Sequence, residues 1–451
     1  MLLTIEKLIY GGDGLARLPA DPDTNEARGR GKAVFVPFVL SGEKIEASLV
    51  EQKPGFARAK ADAILEPSPH RITPACPHFA RCGGCHYQNA AYDHQLEIKK
   101  EILRESLRRL AKVDLPFDIE IHPSPPWNYR NRSRLQVQVS PSFTAGYFKM
   151  ASHELLAVEE CPISSPLINR GLASLWQSGR AGKVPEGVRE VEFFANADDS
   201  QLLVDVGCAG TARRASVRVW AEEWRAAMPE IIGVVAFREA NPGDRKTGAP
   251  EILVTVGAPH LTYQTQSAPY RVSAGSFFQT NRHLTDELVK VVTKGQSGTL
   301  ALDLYAGAGL FSTALARDFH HTVSVETSQT SLADLSYNQL SNGEVVQATT
   351  EQYLARVENA GRVGKGAVLP HIPNKPDLAV VDPPRSGLGE RVAQLLATLG
   401  APRVTYVSCD PATLARDLVP LLVAGYRVEQ VHLVDLFPQT YHLESVVHLA
   451  R

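Results

Sequence analysis

The sequence predicts an α/β protein: a Rossmann-like C-terminal domain preceded by an N-terminal β-barrel and a central β-rich α+β domain. Three observations predict it. Residues 300–326 run strand, glycine turn, helix, strand. Residues 1–64 alternate apolar and polar positions in short runs punctuated by glycine. At 451 residues the chain exceeds one ordinary domain and suggests roughly three of about 150 residues each.

Composition narrows the class. Hydrophobic content of 44% and charged content of 21% are those of a globular protein. No apolar run reaches the roughly 18 residues a membrane helix needs, and the N-terminus lacks a signal peptide's apolar core, so no membrane association and a cytoplasmic address are expected. A formal net charge of −2 argues against wholesale coating of nucleic acid, leaving RNA contact to local Arg and Lys clusters.

In chain order, barrel strands are expected near residues 2–10, 33–39, 45–50 and 56–64, with turns at Gly11-Gly12-Asp13-Gly14, Ser41-Gly42-Glu43 and Pro54-Gly55. Arg28-Gly29-Arg30-Gly31-Lys32 falls in a loop that could meet phosphates or simply be solvated. Cys76, Cys82 and Cys85 then cluster, with Gly83-Gly84 allowing a tight backbone and Cys161-Pro162 farther on. In a reducing compartment such a set binds metal. Four thiolates suit zinc or a [4Fe-4S] cluster, and the Cys-x5-Cys-x2-Cys spacing with a remote fourth cysteine favours iron–sulfur. Residues 92–113 have helical apolar spacing and a basic face, including Lys99, that reads as solvated. Arg130, Arg132 and Arg134, spaced by two where a strand begins, would project to one face and could hold RNA phosphates or stack on bases. Residues 135–265 read as β-rich and mixed, with strands near 135–139, 191–195, 202–206 and 252–256 and a hairpin tip at 241–248.

The C-terminal half carries the chemistry. In Asp303-Leu304-Tyr305-Ala306-Gly307-Ala308-Gly309-Leu310-Phe311-Ser312 the glycines allow close approach of a nucleotide, and Glu326 ends the next strand where ribose hydroxyls bind. Ser312 at the third fingerprint position and the acidic Asp303 suit the cationic S-adenosyl-L-methionine better than a pyrophosphate. Asp382-Pro383-Pro384-Arg385 closes another buried strand and resembles the motif of amino-group methyltransferases. Cys409 decides against that chemistry, since methylating an exocyclic amine needs no thiol. It sits at a strand-to-helix corner in Ser408-Cys409-Asp410-Pro411, where a helix N-terminus is expected to favour the thiolate. A thiolate added to C6 of a pyrimidine makes C5 nucleophilic enough to attack a sulfonium methyl group, and a base must then remove the C5 proton; Glu444 is the candidate.

These motifs, together with Phe277-Phe278-Gln279-Thr280-Asn281 and His442-Leu443-Glu444-Ser445, resemble the RNA uracil-5 methyltransferase family over essentially the whole chain. The resemblance implies a class I methyltransferase domain over 93–124 and 271–451, a TRAM-like, OB-like barrel over 1–64, and a central iron–sulfur and RNA-binding domain over 65–92 and 125–270. It implies Cys409 as nucleophile, Glu444 as C5 proton acceptor, and Gln279, Tyr305, Glu326 and Asp382, with Asp303, Gly307 and Gly309, around S-adenosyl-L-methionine. It also implies Cys76, Cys82, Cys85 and Cys161 as ligands of a [4Fe-4S] cluster. Some members have Asn where this chain has Leu310. Barrel plus cluster resembles the 23S rRNA enzymes more than those acting on tRNA uridine 54, and a monomer is expected. The rival of another class is a non-catalytic RNA-binding or iron–sulfur redox protein on the same scaffold.

Overall fold

The computed structural model describes residues 1–18, 31–238, 251–363 and 375–451. Most of the Arg28–Lys32 run and the 241–248 tip lie outside them. No helix among the described residues is long and apolar enough to cross a membrane.

The C-terminal sheet positions the site. Its eight strands lie in the order Gly343–Gln347, Phe319–Glu326, Gly298–Leu304, Leu378–Val381, Arg403–Ser408, Glu444–Ala450, Arg427–Val434 and Glu120–His122. Leu378–Val381 is buried along its whole length, as a central parallel strand covered on both faces must be. The strand order reverses between Gly298–Leu304 and Leu378–Val381, which opens a crevice beyond their carboxyl ends. Glu444–Ala450 runs antiparallel to Arg403–Ser408, so its first residue lies at the edge where the parallel strands end. The final pair in that ladder, Ser408 opposite Ser445, carries Cys409 and Glu444 to facing positions just beyond it.

The N-terminal six-stranded sheet is curled around Leu3, Ile5, Val34, Val36, Ile45 and Ala57. It includes Asp13–Arg17, a strand the sequence pattern hides because Gly14 breaks the alternation. A Cβ at Gly14 would lie 2.4 Å from Val39 Cγ2, so close packing inside the curl excludes a side chain there. The central seven-stranded sheet contains the expected strands and is covered by two helices that the β-rich reading did not assign, Pro166–Arg180 and Arg214–Ala227. Trp176, Trp220 and Trp224 fix these helices on the sheet; each indole N–H is satisfied, by Val158 O at 2.8 Å, Ser178 Oγ at 2.9 Å and Ser174 Oγ at 2.9 Å.

The helix Tyr92–Ser106 corrects the expectation of a solvated basic face. Lys99 has no exposed side-chain surface. It donates to Asp435 Oδ1 at 2.6 Å and to Phe437 O at 2.9 Å. Tyr92 Oη donates to the second oxygen of Asp435 at 2.9 Å. The helix thereby fastens the segment containing Glu120–His122 to the loop between the last two strands. Deleting one partner of a buried pair leaves a charge uncompensated and costs about 3–5 kcal/mol. Lys99→Ala is therefore expected to lower the unfolding free energy in denaturant titrations by that amount, whereas Lys100→Ala, which breaks only an ion pair to the exposed Asp118, shifts it by less than about 1 kcal/mol.

Candidate active site

Cys409 follows the strand Arg403–Ser408 and precedes Asp410, the N-cap of the helix Pro411–Val423. Asp410 Oδ1 accepts from Ala412 N at 3.0 Å and Thr413 N at 2.9 Å. Those bonds satisfy the first donors of the helix with a carboxylate, which overturns the expectation of a ready thiolate. Burial, followed by the nearby Glu444, pushes the Cys409 thiol up to about 12, with only Arg385 acting in the opposite direction among the main neighbouring charges. The cysteine is partly exposed, as a nucleophile must be.

Glu444 is only 5% exposed. Burial and then Asp382 push its carboxyl well above the usual range, while Arg385 opposes the rise. Burial and then Asp303 raise Asp382 to about 7. The charge of Asp382 thus disfavours that of Glu444, so ionisation of this carboxyl pair is mutually opposed. Arg385 also reaches the ring of His442, at 3.4 Å from Nε2.

The cofactor half is built by the turn after Gly298–Leu304. Tyr305, a non-glycine residue, sits at φ 71°, a strained conformation of the sort stored at ligand sites. Gly307, at φ 54°, donates its N–H to Glu326 Oε2 at 2.9 Å, and a Cβ there would meet nothing within 4 Å, so the turn borders open space. Gly309, at φ 94°, packs so closely that a Cβ would lie 2.9 Å from Leu335 Cδ1. Glu326 Oε1 accepts from Thr327 N and Ser328 N, both at 2.7 Å, which orients the carboxylate at its strand end. Gln279 lies buried in the loop before the helix Thr285–Thr293.

Asp303 takes a different place from the direct cofactor contact expected of it. It has no exposed surface and accepts a hydrogen bond from Ser312 Oγ beneath the turn. This explains the serine at the third fingerprint position: it clamps the loop to the strand. Burial raises Asp303 to about 6, and its Oδ1 has no hydrogen-bond partner in the structure. Leu310 is buried in the core, where its carbonyl accepts from Tyr270 Oη at 3.0 Å.

The four cysteines surround a cavity of about 80 Å³ that Arg130, Gln88 and Tyr147 also line. Burial, then Cys161, pushes Cys85 up to about 12. Arg130 Nε is buried with no partner, so a cation stands beside four potential thiolates. Gln88 Oε1 accepts from Cys76 N at 3.1 Å and Asn169 Oδ1 from Cys161 N at 2.9 Å, bringing the remote cysteine into the group.

The arginine face predicted to meet RNA is therefore corrected. Arg130 precedes the strand Arg132–Gln138 and lines the cysteine cavity. Arg132 is ion-paired to Glu192 and also donates to Ser276 O. Arg134 shares Glu192 at 2.6 Å but keeps 60% of its side chain exposed, leaving it as the one guanidinium of the three able to reach a phosphate.

Tyr10 was missed in the sequence. It comes from the turn between Lys7–Leu8 and Asp13–Arg17 of the N-terminal curled sheet, 399 positions from Cys409, and donates its hydroxyl to Cys409 O at 3.1 Å. Its ring meets Tyr441 edge-on at 5.5 Å, and Tyr441 meets His86, next to Cys85, at 4.5 Å. No local pattern marks it beyond the Gly11-Gly12 turn that follows.

A family model described as tRNA (Uracil-5-)-methyltransferase matches residues 257–451. An uncharacterized RNA methyltransferase of Aquifex aeolicus is 32% identical over 99% of this chain and 97% of its own. A 23S rRNA (uracil(1939)-C(5))-methyltransferase, RlmD, of Vibrio parahaemolyticus is 31% identical over 98% of this chain and 94% of its own. Among solved structures, the tRNA (uracil-54, C5)-methyltransferase of Pyrococcus abyssi in complex with S-adenosyl-L-homocysteine superposes with a TM-score of 0.72 at 22% identity, covering 100% of both chains.

Removing the Tyr10 hydroxyl deletes one hydrogen bond worth about 1 kcal/mol. Tyr10→Phe is expected to lower the unfolding free energy by about that amount in denaturant titrations and to lower kcat by up to about fivefold with KM unchanged in steady-state methyl-transfer assays.

Proposed function

Because this chain belongs to the RNA uracil-C5 methyltransferase family and catalyses S-adenosyl-L-methionine-dependent methylation of uracil C5 in RNA, we propose that its target is a uridine of 23S rRNA, methylated through a covalent bond between Cys409 and C6. The single observation that carries the covalent route is the placement of Cys409 opposite Glu444 across the end of one antiparallel ladder, with Asp382 beside them. The choice of 23S rRNA over tRNA is supported by the full-length relative from Vibrio parahaemolyticus, whose name specifies that RNA.

S-adenosyl-L-methionine, when bound, supplies an electrophilic methyl group. Tyr305, Gly307, Gly309, Glu326 and Gln279 shape its cradle, with Asp382 at the boundary with the uracil. The Cys409 thiol loses its proton to water and forms the bond to C6, leaving the ionised carboxylate of the pair free for the later step. C5 then takes the methyl group, the basic member of the pair removes the C5 proton, and the C6–S bond breaks to release the thiolate. Glu444 is the member facing Cys409 and is assigned the proton abstraction. The target base must leave its stack to reach the thiol. Tyr441 and His442 offer ring faces near the entrance, and Arg134 an exposed cation.

The cysteine cavity fits a [4Fe-4S] cluster bound by Cys76, Cys82, Cys85 and Cys161, whose net negative charge with its four thiolates would satisfy the buried Arg130. Its role here is to tie His86 and its neighbours to the catalytic loop, in which Gln439 O accepts from His86 N at 2.9 Å and Tyr87 N at 3.0 Å. The curled N-terminal sheet is read as a TRAM-like barrel, and the protein as a cytoplasmic monomer.

Trapping, substitution, mapping of the product and pH dependence test this reading. RNA carrying 5-fluorouridine at the target is expected to remain covalently attached to the protein in denaturing gels, because fluorine does not leave as a proton. Glu444→Gln is expected to accumulate the methylated adduct and lose turnover by at least about a thousandfold, while Cys409→Ala forms no adduct. Turnover by Cys409→Ala would overturn the covalent route, and mapping 5-methyluridine in 23S rRNA and tRNA of cells with and without the protein decides the substrate. Since thiol and carboxyl are both held above their ordinary values, their basic forms gain as pH rises. The single-turnover rate is thus expected to keep climbing from about pH 6 through about pH 9 without levelling, since the thiol is held at about 12, and Arg385→Ala to be slower throughout that range.

A further inference from the structure

On the lateral edge strand of the same sheet, outside the catalytic crevice, we propose a divalent cation site of the zinc class held by His122 Nε2, His432 Nδ1 and a Glu120 carboxylate oxygen. Glu120 and His122 are two residues apart on the edge strand and so share a face. The parallel register places Glu120 directly beside His432 on the neighbouring strand. These are the donors of a group in which all three ligand atoms lie within 4.8 Å of one another.

The spacing matches a single small ion. His122 Nε2 lies 3.1 Å from His432 Nδ1, Glu120 Oε2 lies 3.4 Å from His432 Nδ1, and Glu120 Oε1 lies 3.8 Å from His122 Nε2. Ligands about 2.0–2.1 Å from a tetrahedral zinc are separated by about 3.3 Å. Hydrogen bonding among the three groups explains the ring-to-ring distance but leaves the carboxylate beyond good contact with either ring.

The second observation is the orientation of His122. Its Nδ1 lies 2.9 Å from Glu287 Oε1, on the helix Thr285–Thr293. An ionised carboxylate only accepts, so Nδ1 carries the proton and Nε2 presents its lone pair toward His432. Carboxylate–histidine pairs of this geometry orient metal ligands. His448 packs edge-on to His432 at 5.4 Å but is not a ligand, because Thr405 Oγ1 and Val291 O occupy its two nitrogens at 3.1 Å each. The rings are nearly buried, with 11% and 9% of their side-chain surface exposed, whereas Glu120 is 66% exposed and leaves the fourth coordination position to water. Two imidazoles and a carboxylate favour zinc, nickel or copper over magnesium or calcium.

A bound ion would join the edge strand to Arg427–Val434, the strand that runs into Asp435 and the catalytic loop. The site is thus a staple between the edge strand and the strand that leads into the catalytic loop, distinct in place and ligand type from the cysteine cavity.

Cobalt(II) added to the purified full-length protein is the probe. One equivalent is expected to bind with d–d absorption and no sulfur-to-cobalt charge transfer. His432→Ala should weaken that equivalent more than about a hundredfold, and Glu287→Gln about tenfold, while Cys161→Ser leaves it in place. Glu120→Ala changes only an exposed side chain and is expected to weaken binding at least about tenfold with the metal-free melting midpoint unchanged. Equal affinity in wild type, His432→Ala and Glu120→Ala overturns the proposal, as does cobalt bound only with sulfur charge transfer that disappears in Cys161→Ser.

Discussion

The buried pair of Lys99 and Asp435 is the contact on which the geometry of the site depends. Neither side chain has exposed surface, and the ammonium is satisfied by one carboxylate oxygen and the Phe437 carbonyl. Around this charge the loop from Asp435 to Leu443 folds back on itself before Glu444 opens the terminal strand. Gln95 reinforces the hold from the same helix: its amide nitrogen donates to Gln439 Oε1 at 3.0 Å, and its oxygen accepts from Gln439 N at 3.0 Å. Tyr129 adds a hydrogen bond to Pro438 O at 3.0 Å. The loop that delivers the proposed base is therefore gripped by residues more than 300 positions away in sequence.

That grip matters because the site is electrostatically unfavourable at rest. A thiol and two carboxyl groups are packed at one sheet edge, with Asp303 just beneath, and each is pushed toward its neutral form. Arg385 is the principal cation among them. A sulfonium bound beside these acids would relieve the crowding by favouring their ionised forms. The same arrangement that suppresses a reactive thiolate in the free protein is suited to release it when a cationic methyl donor and a base are in place.

The cysteine group and the N-terminal sheet share in this assembly through packing. Arg130 lines the cysteine cavity, while its neighbour Tyr129 holds the catalytic loop. His86, Tyr441 and Tyr10 form a run of edge-on rings that ends in the hydrogen bond to Cys409 O. Glu43 anchors the same region, accepting from Leu40 N at 2.7 Å and from Arg71 Nη2 at 2.7 Å. The catalytic corner is braced from three parts of the chain.

Much of this is legible in the sequence. Glycines at 307 and 309, acidic residues at strand ends and a cysteine ahead of Asp-Pro each reflect a local requirement of backbone or chemistry, and such requirements are written in adjacent residues. The helices over the central sheet were less legible, because their apolar stripes lie among polar residues and only the tryptophans packing on the sheet show their purpose. What only tertiary structure decided are the matters set by distant neighbours: Arg130 turned inward to the cysteines, Lys99 buried, Tyr10 on the Cys409 carbonyl, and the raised Cys409 thiol. By itself the sequence determined which groups the protein has and at which corners they stand. Burial and the charges brought alongside, which depend on residues hundreds of positions apart, decided their protonation and their partners.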